Sequence, residues 1–208
     1  MMRWSTIGLG LVVLLIVAGC ASTPDTAPGP GGITLREDDD LDGDVWLAGG
    51  FNFTGYDTLY IAATQADAPK LNPDGVESLE WAKGVVREKL ASELRKSGFF
   101  RAVVTSESEI RPGSRTLRLQ NTIIDYAKGG AAARFFAGLY GAGQPLIKVR
   151  GQMLDGDTQV FVFEAKRRGE SGAARWVGGY LSSRDIQEED IEDLAEDLVD
   201  FIEKTSKK

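Results

Sequence analysis

Few residues in this chain are equipped for chemistry. The 208 residues include no histidine and a single cysteine, Cys20. Without histidine, the usual base that activates a serine or cysteine nucleophile is missing, and so is the commonest zinc ligand. What remains is carboxylate chemistry. Asp38, Asp40 and Asp42 precede Gly43, which matches positions 1, 3, 5 and 6 of a calcium-binding loop. Position twelve should be a bidentate Glu and is Gly49, and no helix pattern flanks the run. The stretch reads as a solvated acidic linker, with weak, fast-exchanging calcium binding as the alternative, and no metal is expected. Asp125 and Asp155, at the ends of two expected strands, are the acids that could converge as the two carboxylates of a hydrolase. Strand-end acids more commonly cap turns or sit in water. The chain therefore reads as a non-enzyme, with a carboxylate-based hydrolase as the alternative and no catalytic or cofactor-binding residue assigned.

Among the 24 lysines and arginines one group shows a pattern. Lys148, Arg150, Lys166 and Arg168 recur on one side of two expected strands. They either pair with acids on a neighbouring element or offer a face to an acidic partner or a sugar polymer. The net charge of −7 argues against nucleic acid as a partner and against docking on anionic lipid by charge alone.

The lone cysteine has a distinctive setting. Arg3 supplies a positive start, and Ile7 to Val17 form an apolar run too short for an ordinary spanning helix of about 20 residues. The run ends in Val17-Ala18-Gly19-Cys20. This resembles the bacterial lipobox, in which an apolar residue and two small ones precede the cysteine. The resemblance implies a signal peptide over residues 1–19, diacylglyceryl transfer to the Cys20 sulfur, cleavage before it and acylation of the new amine. Acyl chains would then hold the protein on a membrane, each buried methylene contributing about 0.8 kcal/mol. Residue 21 is Ala rather than Asp, which by the same resemblance implies the outer membrane, facing the periplasm. Residues 20–55 read as the lipidated cysteine and a flexible tether rich in acids, Pro and Gly, and residues 56–208 as a single α+β domain. A flexible chain of this length spans roughly 30 Å.

A third stretch, AKGGAAARFFAGLYGAGQP at residues 127–145, combines small residues with Phe135, Phe136 and Tyr140. It is not a phosphate loop, because its glycines lead into a strand rather than a helix N-terminus. Nor can it span a bilayer, being short and carrying Arg134. Two readings remain. Phe135, Phe136, Leu139 and Tyr140 plug the open end of a core, or, with Arg134, they form a patch that touches lipid, a ligand or an envelope protein. Gly129-Gly130-Ala131, Ala133-Arg134 and Gly138-Leu139-Tyr140-Gly141-Ala142-Gly143, followed by a strand ending in Leu154-Asp155 and then Gly156, resemble the signature of the domain-of-unknown-function 4410 family of bacterial lipoproteins. The resemblance covers roughly residues 56–203. Tyr140 stands where that family usually has Phe, and the turn after Leu154 is shorter. It implies fold and location and no activity.

The elements that must position these residues are legible in outline. Residues 56–62 read as a strand. Val76, Leu79, Ala82, Val86, Leu90 and Leu94 make one apolar helix face, stopped by Gly98. Short strands follow at 100–105 and in TLRLQNTIIDY, with a bulge expected near Asn121. LIKVRGQML and TQVFVFEAKRR form a hairpin about Asp155-Gly156-Asp157, with Ile147, Val149, Gly151 and Met153 on one face. Residues 168–183 look loop-like. Ile191, Leu194, Ala195, Leu198 and Ile202 stripe a last helix, with Asp185 and Glu188 resembling a capping box. The expected fold is α+β: a mainly antiparallel sheet of about four to five strands, two helices on one face, order β-α-β-β-β-β-α. The expected function is that of a lipid-anchored periplasmic accessory protein acting by binding or assembly. The alternative is a small-ligand or lipid carrier with residues 129–143 at its mouth.

Overall fold

The computed structural model of the chain describes residues 32–67, 73–130, 143–169 and 182–207. Two long helices lie against one face of an eight-stranded sheet, as the α+β reading requires. In chain order the strands are β1 Arg36–Asp38, β2 Gly43–Leu47, β3 Thr58–Ile61, β4 Gln65–Ala66, β5 Ala102–Val104, β6 Thr116–Ala127, β7 Leu146–Asp155 and β8 Thr158–Arg167. The helices are α1, Pro73–Ser97, and α2, Ser183–Ser206. The sheet runs β1-β2-β8-β7-β6-β3-β5, with β4 also paired to β6.

The sheet is larger than expected, and it is mixed. From β3 onward the expected order holds, with β4 added. The parallel pairing follows from the connections. β3 reaches β5 through α1, and a helical crossover returns the chain in the same direction. β3 therefore pairs parallel to both β5 and β6. The outer carbonyls of the β5 edge are occupied by α1: Arg95 Nε donates to Val103 O at 2.9 Å, and Arg87 donates to Thr105 O.

The second correction lies in the expected tether, whose latter part is ordered. β1 and β2 form a hairpin, and β2 pairs antiparallel with β8. Its turn is the acidic run itself. Asp38 Oδ1 accepts from the backbone N–H groups of Asp40 (3.0 Å) and Leu41 (3.2 Å), and Asp42 takes a left-handed φ of 48°. Short polar side chains tolerate that conformation and close turns on themselves. Leu41 is fully buried among the acids, and Phe53 follows it into the core. The stretch is thus a hairpin turn with one hydrophobic anchor, not a solvated linker.

Alternation governs the core. Leu117, Leu119 and Ile123 of β6, Ile147, Val149 and Met153 of β7, and Phe161, Phe163 and Ala165 of β8 share the helix-covered face. The bulge in β6 comes later than expected. Ile123 pairs with Val149 and Asp125 with Lys148, so Ile124 is the extra residue rather than one near Asn121. That shift reverses the phase and turns Tyr126 inward. Gly156 takes φ 58° in the two-residue β7–β8 turn, where Asp155 pairs with Thr158. A positive φ at the first turn position suits glycine.

In α1, Leu79, Ala82, Val86, Leu90 and Leu94 are buried as the spacing predicts, but Val76 is 49% exposed. It lies in the first turn, at the edge of the packed stripe. The helix stops at Gly98, φ 65°. α2 begins three residues earlier than its acids suggest. Ser182 is the N-cap, and Asp185 sits at the third helical position. The Ser182 hydroxyl accepts from Asp185 N–H at 3.1 Å, and the Asp185 carboxylate accepts from Ser182 N–H at 3.1 Å.

Candidate functional site

Cys20 with Val17, Ala18 and Gly19, and Arg134, Phe135, Phe136, Leu139 and Tyr140, all lie outside the described residues. The framework around the second group is described. β6 and β7 pair up to Ala127 and Leu146, so residues 128–145 connect the two strands of a hairpin. The base of that connection is closed: Gly130 N–H donates to Gly143 O at 2.8 Å. Gly129 has φ 73°, and a Cβ there would lie 2.6 Å from Pro145 N. Only glycine fits so close a crossing at that angle.

Beneath this stem is a buried polar network. Tyr126 Oη lies 2.6 Å from Ser78 Oγ of α1 and donates to Gln187 Oε1 of α2 at 3.1 Å. Gln187 Nε2 in turn donates to Ala127 O at 3.2 Å. The second turns of both helices are thereby tied to the end of β6. Nearby, the buried Asp190 carboxylate accepts from Gly169 N–H at 2.7 Å. The flanking residues of two further segments, 68–72 and 170–181, lie at this same end of the sheet: β4 pairs with β6 at Ile123, and β8 ends opposite Ile147.

Arg167 is the residue that sequence reasoning passed over. It continues the alternation Phe161, Phe163, Ala165 onto the covered face, and that phase was the available signal. Its guanidinium donates to Asp42 O (2.9 Å) and Leu41 O (3.1 Å) and pairs with Asp197 of α2. It thus fastens the acidic hairpin turn to the last helix. Around it, Asp42, Lys166, Arg168, Asp190, Asp193, Glu196 and Asp197 line an open cleft of about 550 Å³. Burial raises the Asp197 carboxyl above its ordinary value, with Asp42 and Asp193 adding to the rise against Arg167. Burial, then Glu189 and Asp190, raise Asp193. Burial, then Glu93 and Asp193, raise Glu196.

Of the four cations expected on one face, Lys148 and Arg150 are matched by an acid. Glu164, on β8 between Lys148 and Arg150 of β7, accepts from Lys148 Nζ at 2.6 Å and from Arg150 Nε at 2.7 Å. Burial works to raise its carboxyl, but those two cations outweigh it and hold it below the ordinary range. Lys166 and Arg168 are exposed. Farther along this face, Arg118 stacks over Tyr60 at 4.9 Å and pairs with Glu107 at 2.7 Å.

Asp125 and Asp155 do not meet. Asp125 pairs with Lys148 and Asp155 with Leu117, at opposite ends of the β6–β7 ladder and roughly 20 Å apart along the strand. Asp155 instead accepts from Tyr56 Oη at 2.7 Å, which anchors the turn before β3. Among the described residues no group of three or more acids or thiols is placed to hold a metal ion, and no helix is long and apolar enough to cross a membrane.

No family model matches the chain, and no curated protein is significantly similar to it. Solved structures do resemble it. The PelC dodecamer from Paraburkholderia phytofirmans is 16% identical over 74% of this chain and 98% of that one, with a TM-score of 0.47. Protein XCC0632 from Xanthomonas campestris, of family model DUF330, is 15% identical over 74% of this chain and 89% of that one, with a TM-score of 0.42. Each is a low similarity.

Proposed function

We propose that the chain is a lipid-anchored accessory protein of the bacterial cell envelope, held at the periplasmic face of the outer membrane by acyl chains on Cys20. It works by binding or assembly; the resemblance to the domain-of-unknown-function 4410 lipoproteins bears on its location alone. The observation that supports this most is the direction of the chain through the sheet. β1 runs parallel to β8, so the backbone enters β1 from the end that carries the β7–β8 turn. The stem of the β6–β7 connection leaves from the opposite end. A ten-residue strand such as β7 separates the two ends by roughly 30 Å. With the anchor reached through residue 32, the stem at Ala127 and Gly130 is the end of the sheet farther from the point of entry, where a protein partner can reach it.

Site-specific photo-crosslinking in intact cells tests this reading. A probe at exposed Ala127, on the stem, should capture an envelope protein, and one at exposed Asp157, on the far turn, should not. Equal capture from both positions, or capture from Asp157 alone, would discard the reading. Cys20→Ser should abolish incorporation of labelled palmitate, and retained label would remove the anchor. A lipid or small molecule that copurifies with the chain, in place of a crosslinked protein, would favour the carrier with residues 129–143 at its mouth.

A further inference from the structure

The covered face of the sheet carries two polar side chains that the surrounding core does not satisfy. Asn121 is 1% exposed, and neither its Oδ1 nor its Nδ2 has a hydrogen-bond partner in the protein. Thr64 is 4% exposed, and its Oγ1 is in the same position. The register sets them side by side. Ile61 pairs with Leu119 and Gln65 with Thr122, so four steps from β3 into β4 are matched by three along β6. The additional residue falls within Ala62–Thr64. Gln65 and Thr122 share the uncovered side, which leaves Thr64 and Asn121 together on the covered side, where α1 packs over β4 and β6.

The other flank of Asn121 offers it nothing polar. Its partner there is Gly151, and the ring of Phe163 fills the place of the missing side chain: a Cβ on Gly151 would lie 2.0 Å from Phe163 Cε1. Leu119 and Ile123, on either side along β6, are fully buried hydrocarbon. A buried amide and hydroxyl without partners are strongly disfavoured, and folded proteins resolve such groups with other protein atoms or with internal water. These three atoms have complementary capacities. Oδ1 accepts, Nδ2 donates, and the hydroxyl does both.

We infer that Thr64 and Asn121 form an internal solvent site between the sheet and α1, holding an ordered water molecule that bridges the two side chains. The irregularity at Ala62–Thr64 is the device that builds it, since regular pairing would turn Thr64 to the other face. The ligand is small and uncharged, matching three neutral polar atoms enclosed by Leu119, Ile123 and Phe163.

The test uses the full chain in detergent. In the unsubstituted protein, the Asn121 side-chain amide protons should show an NMR cross-peak to a long-lived water, and Thr64→Val should abolish it. Thr64→Val and Asn121→Leu should each lower the urea midpoint. The double variant should fall no further than Asn121→Leu alone, because either change removes the same bridge. Absence of the cross-peak in the unsubstituted protein would overturn the site. So would a higher midpoint for Asn121→Leu, or losses that simply add. If Asn121→Leu does not fold, the two NMR measurements decide the matter.

Discussion

On the covered face of β8, Phe161 stacks on Phe201 of α2 at 5.0 Å and meets Phe53 edge-on at 5.7 Å. Three residues along the same strand, on the uncovered face, Glu164 is held between Lys148 and Arg150. The first site joins three distant parts of the chain through hydrocarbon that water cannot replace. The second joins two neighbouring strands through charges that water and salt partly screen. Cohesion between sheet and helices thus resides on one face, while the other face sets only local strand pairing.

The largest effect should come from Phe161→Ala, which removes a fully buried ring from the meeting point of β8, α2 and the turn at Phe53. A loss of about 3–5 kcal/mol in urea unfolding is expected. A loss below about 1 kcal/mol would mean the covered face is not where cohesion lies. Gly151→Ala probes the same face by crowding. Its methyl group collides with Phe163, and a loss of about 1–3 kcal/mol is expected. On the uncovered face, Glu164→Gln leaves two half-buried cations without their acid. It should cost about 1 kcal/mol, less in high salt. A loss matching that of Phe161→Ala would erase the contrast between the faces.

The smallest effect is a pH dependence. Asp193, Glu196 and Asp197 have raised folded-state values, so the folded domain holds their protons more tightly than the unfolded chain does. Stability should therefore rise as pH falls from neutral toward the ordinary carboxylate range. Glu164 and Glu192 are lowered, Glu192 chiefly by the hydrogen bond from Lys89, and their contribution is lost once pH drops below that range. A stability maximum on the acid side of neutral is expected from unfolding midpoints across pH. Asp193→Asn should flatten the rise, and an unchanged slope would remove that residue from the account.

The covered face was readable because Leu117, Leu119 and Ile123 of β6 and Ile147, Val149 and Met153 of β7 recur in one phase, and because the α1 and α2 stripes recur at helical spacing. The same logic extends to Arg167, where a charge sits at an apolar phase. What escaped has physical causes. Leu41 is a single apolar residue among acids, and its burial depends on Arg167 far along the chain. The parallel register of β3 leaves no local trace, since β5 and β6 reach it only through tertiary packing. The slip at Ile124 was placed too early because Asn121 looked like the break in an apolar run. It is instead a polar residue kept in phase. Of the candidate site, the sequence supplied residue types at 131–142, whereas the closed stem at Gly130 and Gly143 depends on backbone geometry that composition does not encode.

The pairing of β2 with β8 has a bearing on folding speed. Gly43 finds Ala165, and Leu47 finds Phe161, across most of the domain. Closing a loop on the order of a hundred residues costs entropy before any contact repays it, and contacts of that range slow folding. The unit β3–α1–β5, by contrast, closes on itself within one crossover. The expected sequence of events is that this unit and the β7–β8 hairpin form early, and that the acidic hairpin docks last. Until it docks, one edge of β8 stays open to other strands, the condition under which chains pair with the wrong partner. Of the described strands, the first two to leave the ribosome are thus the last to reach their place.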